Sequence, residues 1–154
     1  MREVVEALRS QPHVEKFESE HPEYSFANVF YPDYAEGKAE LGYYHEEDDV
    51  MINVLPNGST TEPQEVAHTG REIKQLRVTE EVADAEDAVK KAKNTSDVTT
   101  TKRVIATLQQ PGEPHWSVSL ITPDFSVYTV RMHAETLDVL DTTESNMMSW
   151  IKGT

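Results

Sequence analysis

Residues 116–132, with the sequence WSVSLITPDFSVYTVRM, decide the fold. Apolar and polar residues alternate on both sides of a central Thr-Pro-Asp turn at 122–124. This pattern is typical of two antiparallel strands that bury one face in a core. Ser117 and Ser119 belong to the opposite face. The side chains predicted to face the core are Trp116, Val118, Leu120, Tyr128, Val130 and Met132.

An earlier stretch, residues 39–55, has the same organisation. Its sequence AELGYYHEEDDVMINVL predicts two strands, Lys38 to His45 and Val50 to Leu55, joined by the acidic turn 46–49. The two hairpins superpose without a gap at an offset of 77 residues, which is half of the 154-residue chain. Each is preceded by a helix-like segment and an isolated strand, so the order predicts an internal duplication.

Helix signals lie at three places. Residues 2–10 and 85–93 have apolar residues at helical spacing, and Pro12 is expected to end the first of these helices. Asp141-Thr-Thr-Glu144 has the spacing of a capping box, which predicts a last helix through Trp150 and Ile151 that docks on the sheet. Residues 73–78 fit either a strand or the start of a helix.

We therefore expect an α+β fold made of two tandem units, each a helix packed on a small antiparallel β-sheet, with a C-terminal helix. The units would span residues 1–77 and 78–154 and pack together as one globular body. Each is too small to bury a large core alone, and this favours their packing on one another.

The second half resembles the PepSY domain over residues 84–141. Three stretches carry the resemblance: the helix DAEDAVKKA from Asp84, the strand motif Trp116-x-Val-x-Leu, and the segment VYTVRMHAETLDVL from Val127. His133 stands where the family usually has Asp, and Leu137 where it usually has Gly. The resemblance implies a helix packed across a curved antiparallel sheet and a non-enzymatic role. PepSY-like domains are associated with modulation of peptidases and with protein–protein contacts, often outside the cytoplasm.

The chain carries 28 acidic and 14 basic residues, a formal net charge of −14. Residues 1–77 hold 16 acids and 7 bases, and residues 78–154 hold 12 and 7, so the excess is spread over both halves. Such a surface is typical of proteins adapted to high salt, where the charge is screened. It repels phosphate backbones, and we expect no nucleic-acid partner.

The N-terminal residues 1–8 contain acids where a signal peptide needs an apolar run, and no stretch approaches the roughly 20 apolar residues of a membrane span. We therefore expect a cytoplasmic protein that does not associate with membranes.

The residues that usually carry catalysis are missing or scattered. Cysteine is absent, and the six histidines form no metal-binding pair at helical spacing. No Gly-x-Ser-x-Gly motif or phosphate-binding glycine loop is found. The run His45 to Asp49 offers carboxylates without the spacing of a calcium loop, and a solvated turn is its favoured interpretation over a cation site. We expect no enzyme activity, cofactor or metal.

Three aromatic residues are the candidates for binding: Tyr43, Tyr44 and Trp116. Tyr43 and Tyr44 are adjacent on a strand, so one faces the core and the other solvent or a partner. The leading hypothesis is a non-catalytic protein- or peptide-binding or regulatory domain whose partner is unknown, acting as a monomer or weak homodimer. The alternative is a small-ligand-binding protein with a pocket between helix and curved sheet.

The acidic composition predicts that stability depends on salt. We expect the melting temperature to fall when the protein is transferred from molar salt to a desalted buffer, because repulsion among surface carboxylates is no longer screened. Thermal unfolding followed by circular dichroism at both ionic strengths measures this. Equal melting temperatures would contradict the salt-adaptation hypothesis.

Overall fold

A computed structural model describes residues 1–66, 73–110 and 112–146. These residues form eight strands, three α-helices and a short 3-10 helix. In chain order the elements are α1 (Arg2–Arg9), α2 (Pro12–Glu20), β1 (Tyr24–Tyr31), a short 3-10 helix (Tyr34–Glu36), β2 (Glu40–His45), β3 (Val50–Val54), β4 (Gln64–Glu65), α3 (Ala85–Ser96), β5 (Arg103–Gln109), β6 (His115–Ile121), β7 (Ser126–His133) and β8 (Val139–Asn146).

The strands form one antiparallel sheet in the order β4-β3-β2-β1-β5-β6-β7-β8. Both predicted hairpins are confirmed, with Leu41 opposite Val54 in one and Val118 opposite Val130 in the other. The alternation of β6 also holds: Val118 is buried, whereas Ser119 lies on the opposite face and is hydrogen-bonded to Thr129. The chain is thus α+β, with its helices packed over one face of the sheet.

The expectation of two separate helix-on-sheet units is wrong. β1 pairs with β2 on one side and with β5 on the other, so the two hairpins belong to a single eight-stranded sheet. Pairing places Val29 opposite Leu108, and both side chains are fully buried. Separate units would leave these apolar strands with exposed edges, whereas one sheet satisfies their backbone groups and buries their side chains. The division at residue 77 stays a prediction.

All three helices contribute to one core on the same side of this sheet. The residues of α2 that enter it include Phe17, whose ring centroid lies 4.9 Å from that of Tyr43 on β2. Ala88 and Ala92 of α3 are fully buried, and their small side chains allow the helix to approach the sheet closely. Within the described residues, no helix is long and apolar enough to cross a membrane.

The first predicted helix, α1, ends at Arg9, before Pro12, as expected, whereas the helix that follows it, α2, was not predicted. Pro12 occupies the first turn of α2, where its missing N–H group costs nothing. α2 extends through a largely polar sequence, and it buries Val14 and Phe17. Tertiary packing of these two side chains stabilises a helix that local pattern alone does not indicate.

The helix predicted to open at Asp141 is also wrong within the described residues. Residues 139–146 form β8, which pairs with β7 along its length. Leu137 adopts a positive φ of 61° in the turn that reverses the chain into β8. Pairing with β8 satisfies the backbone N–H and C=O groups on the outer edge of β7. The β-branched residues Thr142 and Thr143 also favour a strand. The predicted docking of Trp150 and Ile151 lies outside the described residues.

Residues 74–78 adopt neither of the two expected states, since they form no helix and no strand. They pass beside the first part of β1, where the Leu76 N–H donates a hydrogen bond of 2.8 Å to the Phe26 carbonyl oxygen. β5 pairs with β1 only over Asn28 to Tyr31, so this segment occupies the place that β5 leaves open. Its Leu76 side chain is buried in the common core.

The shared sheet predicts cooperative unfolding of the whole protein. Leu108→Ala leaves a cavity next to β1, and we expect it to lower the free energy of unfolding by about 2–5 kcal/mol while a single transition is retained. Chemical denaturation followed by circular dichroism measures both quantities.

Ile105→Ala is the matched control, because Ile105 lies on the opposite, half-buried face of the same strand and its truncation removes less buried surface. Two separate transitions in the Leu108→Ala protein would contradict the single cooperative sheet.

Candidate functional site

Tyr43, one of the three predicted binding residues, is 1% exposed and lies under α2. Its hydroxyl donates a hydrogen bond of 2.7 Å to Oε2 of Glu18. Burial and the adjacent carboxylate raise the pKa of Tyr43 far above the ordinary value of 10, so the hydroxyl stays protonated as a donor. Tyr43 therefore supports Glu18 from inside the core.

Tyr44 leaves the strand on the opposite face, as the alternation requires. It is 9% exposed, and its hydroxyl donates a hydrogen bond of 2.6 Å to Oδ1 of Asp49. This hydrogen bond raises the pKa of Tyr44 to about 12. The contact links the strand to the acidic turn 46–49, so at least one carboxylate of that turn has a structural role.

Trp116 is fully buried beneath α3, and its indole Nε1–H donates a hydrogen bond of 2.9 Å to the Ala83 carbonyl oxygen. Trp116 and Tyr43 are thus both packed in the core and bonded within the chain. A binding role for the three predicted aromatic residues stays a prediction, and the structure does not bring them together. Two other regions present accessible groups.

The first region is a cavity of about 340 Å³ beside α1, which we name the α1 cavity. Its floor is apolar. Three of the floor residues, Val5, Phe26 and Leu76, are almost fully buried. The floor consists of Val5 from α1, Phe26 from β1, and Leu76 and Val78 from the segment that follows β4. Its rim is charged and contains Arg2, Glu6, Arg9 and Glu18.

An ion pair between Arg9 and Glu18 organises the rim. Arg9 Nε and Nη2 lie 2.9 and 2.8 Å from Glu18 Oε2, the same oxygen that accepts the Tyr43 hydroxyl. The guanidinium also lies over the Phe26 ring, 4.7 Å from its centroid, in a cation–π contact. Four side chains thus fix one another at the boundary between the cavity and the core.

The second rim cation, Arg2, is more exposed. Its Nε donates to Glu6 at 3.1 Å and its Nη1 donates to Glu80 at 2.8 Å. The hydrogen bond and the charge of Glu6, with a further contribution from Glu80, raise the pKa of Arg2. Ion pairs at this exposure contribute little to stability, so Arg2 is able to exchange partners.

The second region is the outer edge of β8. The strand pairs with β7 on one side only, and among the described residues no strand pairs with its other side. Its side chains are almost all exposed, including Val139 at 40% and Leu140 at 51%. Asp141 contacts Arg131 of β7, and Glu144 raises the pKa of Tyr128 through a hydrogen bond. β8 thus begins with two apolar residues and carries two acids and no base, with the charge of Asp141 paired to Arg131.

The acidic turn and possible metal ligands concern the described ranges, 1–66, 73–110 and 112–146. They contain no group of three or more His, Asp or Glu side chains placed to hold an ion. In the acidic turn, the Asp48 N–H donates to His45 Nδ1 at 3.0 Å, and Asp49 adopts a left-handed backbone with a φ of 55°. These contacts are those of a tight turn.

Sequence reasoning missed both regions. Arg9 and Glu18 are nine positions apart on two helices, and the second of these helices was not predicted. Of the edge strand only the start was predicted, as a short strand over residues 137–140, because the residues from Asp141 onward resemble a capping box. The one available signal was the pair of β-branched residues Thr142 and Thr143, which favours a strand.

Comparison with known proteins gives the fold alone. A solved structure from Clostridium difficile 630, of a protein provisionally named a lipoprotein, is similar with a TM-score of 0.54 and 9% sequence identity. The match covers 86% of this chain and 90% of that protein. The sequence matches no family model, and no curated protein is significantly similar to it. The resemblance to the PepSY domain therefore remains a prediction.

The contact between Tyr43 and Glu18 is testable by a double-mutant cycle. We expect Tyr43→Phe to lower the free energy of unfolding by about 1–3 kcal/mol, because the buried hydrogen bond to a carboxylate is lost. In the Glu18→Ala background the same substitution should cost clearly less, since the acceptor is gone. Chemical denaturation of the four proteins gives the coupling energy.

Tyr34→Phe is the control for this cycle, because Tyr34 lies outside the Glu18 cluster, in the 3-10 helix. Its effect on stability should be the same with and without Glu18. A coupling energy of zero for Tyr43 would mean that its hydroxyl does not support the rim of the cavity.

Proposed function

We propose that this protein is a non-catalytic binding protein that captures an extended segment of another protein along β8. The observation that carries the proposal is an eight-residue edge strand whose side chains are exposed on both faces. Edge strands of this length present a row of backbone donors and acceptors, and addition of a partner strand satisfies them. The PepSY resemblance, with its association with protein–protein contacts, supports the same class of function.

The partner segment is proposed to be basic. β8 carries Asp141 and Glu144 and no basic residue, and it belongs to a chain with a net charge of −14. Lysine or arginine side chains on an added strand would lie beside these carboxylates, an arrangement that stabilises cross-strand pairs. The exposed Val139 and Leu140 would give the start of the segment an apolar contact.

A second copy of this chain fits the edge less well. In antiparallel pairing of two β8 strands centred on Thr142 or Thr143, the acids of one copy fall within two positions of the acids of the other. Like charges placed so closely on paired strands are destabilising. We therefore propose that the protein is monomeric. Its proposed location is intracellular, as expected from the sequence.

The other edge of the sheet offers much less. β4 consists only of Gln64 and Glu65, so it can pair with few backbone groups of a partner. For the alternative function, binding of a small ligand, the α1 cavity is the candidate location, and this function would require neither edge.

The proposal is tested by titrating the isotope-labelled protein with a blocked peptide of alternating lysine and valine. We expect saturable changes of NMR shifts concentrated in the amides of Val139 to Asn146, because the added strand pairs with this edge. A peptide of alternating glutamate and valine is the control and should bind more weakly by about tenfold or more.

Proline substitutions locate the pairing. Successive residues of an antiparallel strand direct their N–H groups alternately to its two sides, so one of Thr142 and Thr143 points outward. Proline at the outward position should preserve the fold and abolish binding, whereas proline at the other should break pairing with β7. Unchanged binding by a folded proline variant at both positions, or shifts outside β8, would contradict the proposal.

A further inference from the structure

The α1 cavity has the features of a small-molecule site that is independent of the β8 edge. Its volume of about 340 Å³ lies in the range of ligand pockets, and an apolar floor with a few polar groups at the rim is the usual composition of such sites. The floor is preformed, because Val5, Phe26 and Leu76 are packed in the common core. A ligand would therefore bind without remodelling the sheet.

The Arg9–Glu18 pair leaves hydrogen-bonding capacity on both partners. The contacts of Arg9 Nε, Arg9 Nη2 and the Tyr43 hydroxyl with this carboxylate all go to Oε2, and none of the described residues bonds to Oε1. The same bonds use Nε and Nη2 of Arg9, and within the described part of the chain its Nη1 donates to no residue. Both residues line the cavity, so the pair leaves one acceptor and one donor for a ligand.

The charge balance of the rim selects the class of ligand. Two guanidinium groups, of Arg2 and Arg9, face two carboxylates, of Glu6 and Glu18, so the rim is neutral in sum. A purely anionic ligand would meet the two carboxylates, and a purely cationic one would meet the two guanidinium groups. A molecule with both charges satisfies both sets, because a carboxylate pairs well with arginine and an ammonium group with glutamate.

The floor adds the remaining requirement. A ligand that places its charged groups at Arg9 and Glu18 would extend its other end towards Phe26 and Leu76, where an apolar group is removed from water. We propose that the α1 cavity binds a zwitterionic α-amino acid with an apolar side chain. Its carboxylate pairs with the Arg9 guanidinium, its ammonium group pairs with the Glu18 carboxylate, and its side chain contacts the floor.

Calorimetry on the wild-type protein tests the class of ligand directly. L-leucine is the probe, and its two comparators each lack one charge: 4-methylpentanoate has no ammonium group, and 3-methylbutylamine has no carboxylate. We expect saturable binding of leucine and dissociation constants about tenfold or more higher for both comparators, since each loses a charge-assisted hydrogen bond. Equal affinities for all three, or no saturable binding of leucine, would overturn the proposal.

Variants locate the site. Arg9→Gln and Glu18→Gln should each weaken leucine binding by about tenfold or more. Glu20→Gln, on the same helix as Glu18 and exposed, is the matched control and should bind as the wild type does. Leucine affinity that is unchanged in a folded Arg9 or Glu18 variant would overturn the assignment. If either variant fails to fold, the comparison of the three ligands on the wild-type protein decides.

Discussion

The pairing of β1 with β5 is the constraint on which the rest of the structure depends. It joins Val29 to Leu108 and Tyr31 to Ala106, and all four side chains are buried on the helix-covered face. Because β1 and β5 pair directly, the two hairpins belong to one sheet and contribute to one core. α1 and α2 then cover one half of the same face that α3 covers on the other half.

Both candidate sites follow from how far this pairing extends. β5 meets β1 only over Asn28 to Tyr31, and the segment with Leu76 and Val78 lies beside the remainder of β1. That segment, α1 and Phe26 line the α1 cavity, which is open to solvent. The pairing also uses the inner edges of both hairpins, so the sheet ends at the short β4 and at the long, exposed β8.

Sequence patterns predicted those elements in which local preference and tertiary packing agree. The alternation in 116–132 and 39–55 gave both hairpins, and helical spacing gave α1 and α3. The sequence-based prediction failed where packing outweighed local preference. Burial of Phe17 stabilises α2 in a polar sequence, and pairing with the outer edge of β7 stabilises a strand at Asp141 to Glu144. Tyr43 and Trp116 were predicted as aromatic candidates, but no pattern showed that each would donate its hydrogen bond inside the protein.

By itself, the sequence determined the hairpins, two of the three helices in the described residues, the acidic character and the α+β class, because these depend on periodicity and composition. Only the tertiary structure decided that the hairpins share one sheet, since the choice between separate and joined edges depends on long-range backbone pairing. It also decided the meeting of Arg9 with Glu18 and the exposure of β8. Such contacts join residues through the packing of helices and strands, and no local spacing encodes them.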